Sequence, residues 1–224
     1  MSLFERLLRM ALASGVSAGL ILTLLHQLLT VPLILAAERF EVPVQMTPAT
    51  PAEASIWAPQ PGIQRMAATA LSDVLAGTGF ALLLAGIWLW RGQPLNHWQG
   101  LLWGLGGFAA LTLAPAAGLP PELPGSVAAE LAARQWWWLG TALASATGLA
   151  ALVFLPQTWG KLLGVALMVI PHLAGAPHPL VDAGLAPPDL AERFEVATLI
   201  TSGVFWCVLG VVGARFFQRF VYAP

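Results

Sequence analysis

Apolar runs of about 20 residues recur along this chain, each long enough to cross a hydrocarbon core of about 30 Å at 1.5 Å per residue. No other feature restricts the fold as strongly. Inside a bilayer every backbone N–H and C=O must find its partner within the protein, so such runs become helices or closed barrels. A barrel strand needs only about 10 residues of alternating polarity, and these runs are longer and do not alternate. Only 9% of residues are charged while 58% are hydrophobic, against roughly 25% charged in a soluble domain. The expected class is therefore an all-α polytopic membrane protein, built as a single integral membrane domain over residues 1–224.

Six spans are predicted, at about Met10–Leu35, Met66–Trp90, Trp98–Ala117, Trp138–Leu155, Gly160–Ala174 and Val196–Phe216. The first has no small-residue cleavage site after a short apolar core, so it reads as an uncleaved span rather than a signal peptide. The fifth is short and interrupted by Pro171, a pattern that a re-entrant or half-helix also shows. Arg91–His97 and Pro156–Trp159 form tight connections, whereas the other three are long. That alternation groups the spans into three helical hairpins, with every long loop on one face.

Charge orients the array. Arg6, Arg9, Arg91, Lys161, Arg215 and Arg219 lie at the ends and tight turns, with Glu5 the one acid there. Four arginines and nine carboxylates lie on the long loops. Lys and Arg favour the cytoplasmic side, which puts both termini inside and gives an acidic outer face. Trp88, Trp90, Trp98 and Trp159 mark the inner boundary and Trp136–Trp138 the outer one, where amphipathic rings meet headgroups. Short motifs also repeat. Residues 37–42 recur identically as 191–196, and Pro120-Pro121-Glu122-Leu123 is echoed by Pro187-Pro188-Asp189-Leu190. A proline sits near the outer end of each hairpin's first span, at Pro32, Pro115 and Pro171. Internal repeats with a site at their interface are common in transporters.

Few residues carry chemistry. Asp73 lies eight residues into the second span, about 12 Å deep, where a carboxylate costs about 2.5–3.5 kcal/mol and must face a partner or water. His26 lies at a similar depth in the first span, about 13 Å. His172 follows Pro171, and His178 comes a few residues later. Imidazole binds divalent transition metals and carboxylates complete a mixed shell, so His26, Asp73, His172 and His178 form a candidate cation site. Glu38 with Glu41, and Glu192 with Glu195, are i,i+3 pairs that would concentrate cations at its mouth. For Glu192 the bland alternative is a helix-capping role opposite Asp189. Glycines such as Gly100, Gly104 and Gly148 read as packing surfaces, and His97 as a turn residue. Cys207 is the lone cysteine, so no internal disulfide forms. No P-loop, no His-Glu-x-x-His and no nucleophile beside a base is present. Neither is a basic patch for nucleic acid.

The stretches Pro32–Glu38, Gly118–Gly125, Arg134–Trp138 and Pro171–Pro177 together resemble CbtA, a family of predicted cobalt transporter subunits. The likeness runs from the first span to Phe205-Trp206. It implies Co²⁺ as the transported ion, with no tightly bound cofactor and no enzymatic activity. It also implies the bacterial inner membrane and a small one-span partner, CbtB-like, bearing histidines. The family is usually described with five spans, whereas the charge placement here gives six; the difference rests on residues 160–174. Ni²⁺ is next to Co²⁺ in the Irving–Williams order, and the residues do not separate the two ions or fix a homo-oligomeric state. A non-transporting membrane scaffold for the partner is the competing reading.

Overall fold

The computed structural model describes residues 2–40, 59–179 and 186–222. Among them there is no strand. Eight helices follow in order: α1 (Leu3–Leu25), α2 (Val31–Ala37), α3 (Ile63–Arg91), α4 (His97–Phe108), α5 (Ala114–Ala116), α6 (Leu131–Phe154), α7 (Thr158–Ala174) and α8 (Pro188–Phe217). A π-helical turn, His26–Thr30, joins α1 to α2, and a second, Ala109–Leu113, joins α4 to α5. Among the described residues four helical stretches are long and apolar enough to cross a membrane: Leu3–Phe40, Ile63–Arg91, Leu131–Phe154 and Pro188–Tyr222. Helix α7 is apolar but shorter, with 17 residues, or about 25 Å.

Local chemistry explains the starts and kinks. Ser2 and Glu5 form a reciprocal capping box at the start of α1, and Asn96 and Gln99 repeat it at α4, satisfying N–H groups a first turn leaves unpaired. Helix α3 ends on Gly92 in the left-handed region, at φ 65°, which glycine adopts without a Cβ penalty. Both π turns precede a proline at the same offset: Val31 N–H bonds back to His26 O before Pro32, and Ala114 N–H to Ala109 O before Pro115. Proline has no N–H for the carbonyl four residues earlier, and a π turn absorbs the misfit without ending the helix.

At several points the helices are drawn together by glycine. A Cβ at Gly19 would sit 2.6 Å from Val74 Cα, so α1 and α3 meet nearly backbone to backbone. Gly100 and Gly210 do the same for α4 and α8, and Gly148 and Gly164 for α6 and α7. Without a hydrophobic drive between helices in lipid, such close packing supplies the cohesion. Helix α8 lies between α1 and α4, and the core it shares with α1 and α3 holds Met10, Trp88, Phe205, Trp206, Leu209 and Phe217. Packing thus follows the chain between α1 and α3 and again between α6 and α7, but not at α4 and α8. Helix α4 takes α8 as its main neighbour, and α7 takes α6 across the tight turn.

The two ends of the bundle differ as the loop lengths predict. At one end the Arg6 guanidinium donates to the carbonyls of Phe220 and Val221, joining both termini. Arg91 stacks over Phe154, 5.8 Å from its ring centre, across the tight turns at that end. At the other end Arg65 pairs with Glu38, and Arg134 with Glu122 at 2.7 Å. There Ala37, Leu123, Leu190 and Phe194 form a second buried cluster, gathering residues from both repeated motifs. The repeat is nevertheless not one of conformation. Glu38–Phe40 form a 3-10 turn, whereas Glu192–Phe194 lie inside α8. The capping role read for Glu192 is also corrected. Pro187 occupies the N-cap with no side-chain bond and Pro188 the first turn, where the ring pre-sets φ. Asp189 is left in the first turn of the helix rather than at its cap.

Candidate cation site

Gly15, Gly19 and Thr23 recur every four residues on α1, and His26 follows three later, so all lie along one face. On α3 the matching face carries Asp73 and Gly77, again four apart. Because Gly15 and Gly19 bring α3 into backbone contact, the face that packs the helices also draws Asp73 inward. The residue is buried. Thr23 Oγ1 lies 2.8 Å from Asp73 Oδ2, and His26 Nδ1 lies 3.2 Å from the same oxygen. Thr23 Oγ1 is also 2.9 Å from Gly19 O, so its single proton has two acceptors within reach. The His26 carbonyl is held too, by Val31 N–H and by the Thr30 hydroxyl at 3.2 Å. A carboxylate and an imidazole are thus fixed against each other between the first two spans.

The other predicted site residues stand elsewhere. His172 is exposed at the end of α7, its ring edge-on to Trp137 at 5.8 Å between centroids. Trp137 Nε1 donates to Pro171 O at 3.2 Å. His178 is exposed beyond α7. Glu38 is engaged by Arg65, while Glu41 lies outside the described residues. Glu192 is exposed and, with Asp189 and Arg193, lines an open groove of about 630 Å³. The groove is also lined by Leu28 and Leu29 of the π turn and by Pro32 and Leu33 of α2. Among the described residues, no three His, Cys, Asp or Glu side chains gather closely enough to hold a metal together. His97 is exposed at the first turn of α4 beside Trp98. Thr23 was the residue not singled out from sequence; its four-residue spacing from Gly19 was the available signal.

The sequence model of the CbtA family, described as a probable cobalt transporter subunit, matches residues 4–218. The chain belongs to the CbtA family. No curated protein and no solved structure matches it. The family's description names cobalt, a transition metal, and imidazole nitrogen is a ligand suited to such metals. That the family supplies one subunit of a transporter also means that it works within a complex.

Proposed function

We propose that this CbtA-family chain is the membrane subunit through which Co²⁺ enters the cell, and that the ion pauses at the His26–Asp73 pair. The observation that carries this reading is the pair itself: an intramembrane carboxylate drawn into the interface of the first two spans and matched to an imidazole at 3.2 Å. Ionisable residues at such depth are costly and mark ion paths by default. The carboxylate offsets cation charge, and the imidazole replaces part of the hydration shell. Glu192 beside the groove, with Glu38, supplies an acidic mouth on the extracytoplasmic side. His172 and His178 form a second outer station near α7. The termini and tight turns lie in the cytoplasm of a bacterial cell, and the protein sits in its inner membrane.

A divalent cation moving inward down an inside-negative potential gains about 4.6 kcal/mol per 100 mV, twice the single-charge value. With no nucleotide-binding motif in the chain, that gradient is the proposed driving force. The competing reading is a scaffold that assembles a small one-span, histidine-bearing partner. It draws support from α7, whose Leu162, Val165, Val169, Ile170 and Leu173 are exposed and offer a face to lipid or a partner helix.

Reconstitution separates the two. The purified chain reconstituted in liposomes with its one-span partner, under an imposed inside-negative potential, is expected to take up Co²⁺, and dissipating the potential should reduce the uptake. Uptake carried by the partner alone, and unchanged when this chain is added, would establish the scaffold instead.

A further inference from the structure

Given that reading, the geometry of the pair allows its atoms to be assigned separate tasks. We infer that the ion is held through Nε2 of His26, and that Asp73 stands behind the imidazole as a positioning carboxylate outside the metal's own shell.

Three observations lead there. First, Asp73 Oδ2 already faces His26 Nδ1 at 3.2 Å and the Thr23 hydroxyl at 2.8 Å. An Nδ1–H donated to Oδ2 fixes the tautomer and leaves Nε2, on the far side of the ring, as the lone-pair donor. Metal-binding histidines commonly have this carboxylate at the back. Second, the carboxylate has little open space around it, since Asp73 is buried and the backbones of α1 and α3 meet at its own residue. A Cβ at Gly19 would lie 2.6 Å from Val74 Cα and 2.9 Å from the Asp73 carbonyl carbon, so the helices touch immediately beside it. An ion wedged between Nδ1 and Oδ2 would have no room there for the rest of a four- to six-donor shell. Third, the open side belongs to the histidine, whose side chain is 24% exposed against 11% for the aspartate.

The π turn adds to this. His26 is its first residue, and its carbonyl is tied by Val31 and Thr30, so the backbone that carries the ring is anchored from behind. Because no third His, Cys, Asp or Glu joins the pair among the described residues, the remaining coordination positions fall to water. One protein nitrogen and a retained hydration shell suit an ion that must leave as readily as it arrives.

The assignment is tested on the full-length chain purified in detergent, by titrating Co²⁺ and recording its visible ligand-field absorption. Asp73→Asn is expected to keep the band position of the natural protein and to need about 10–100-fold more Co²⁺ for half-saturation. His26→Asn, made with His172→Ala and His178→Ala so that the outer station adds no signal, retains an amide to face Asp73 but has no counterpart of Nε2, and should show no saturable band. Cobalt X-ray absorption on the unsubstituted protein needs no variant to fold, and should show imidazole scattering without a carboxylate contribution. A band shifted by Asp73→Asn, or a carboxylate in the absorption fine structure, would place Asp73 in the shell and overturn the inference while leaving the cation site standing. A natural protein with no saturable Co²⁺ band at all would instead remove the site, and this inference with it.

Discussion

At the scale of single residues, the bundle treats its carboxylates in opposite ways. Asp73 is enclosed with an imidazole and a hydroxyl, while Glu130, outside the span, is fully exposed and caps α6. Its two oxygens accept from Ala132 N–H at 2.9 Å and Ala133 N–H at 2.7 Å. Those bonds favour the charged form and hold the Glu130 carboxyl below its ordinary value. A lowered folded-state pKa means the cap's contribution is complete above the ordinary carboxylate range. It is lost as pH falls through the lowered value. Glu130→Gln should therefore lower the melting temperature slightly at neutral pH, and the difference from the natural protein should shrink towards pH 3; circular dichroism melts across that range measure it. His26 and Asp73 were legible in the sequence because ionisable side chains stand out inside apolar runs. Thr23 was not, because a threonine in a helix usually bonds its own backbone, as Thr69 and Thr78 do here.

At the scale of elements, the apolar runs located helices but not their ends. The helices continue past them, to Phe40 in the first case and back to Pro188 in the last, because capping and turn chemistry rather than hydropathy stops a helix. Proline positions were legible, but their consequence was not: Pro32 and Pro115 follow π turns, whereas Pro171 is taken into α7 without one. Helix α7 is also where span number is decided. Spanning a core of about 30 Å with about 25 Å of helix requires local thinning or flanking residues that reach the interface. Single cysteines in a Cys207→Ser background test the crossing. Ser126→Cys and Ala174→Cys should react with an impermeant thiol reagent from outside, and Gln157→Cys should be protected. External labelling of Gln157→Cys with protection of Ala174→Cys would reverse the proposed sidedness of α7.

At the scale of the whole molecule, loop lengths and charge gave a bundle with both termini at one end, and the Arg6 contacts with Phe220 and Val221 join those termini. What they did not give is which helix packs on which. Hairpin connectivity suggests chain neighbours, yet α8 leaves α7 and inserts between α1 and α4. The small residues that direct this, Gly100 and Gly104 opposite Gly210, identify a close-packing face without naming its partner. The same logic assembled the candidate pair: glycines on α1 bring α3 close enough for His26 to meet Asp73, while His172 remains with Trp137. On the proposed path Co²⁺ passes by that pair. The direct measurement is the initial rate of potential-driven Co²⁺ uptake per mole of reconstituted protein, at Co²⁺ well below half-saturation. Asp73→Asn should lower that rate by about tenfold or more, while His97→Ala, at the tight-turn end of the bundle, should leave it unchanged. An Asp73→Asn protein that transports at the natural rate per molecule would contradict the claim.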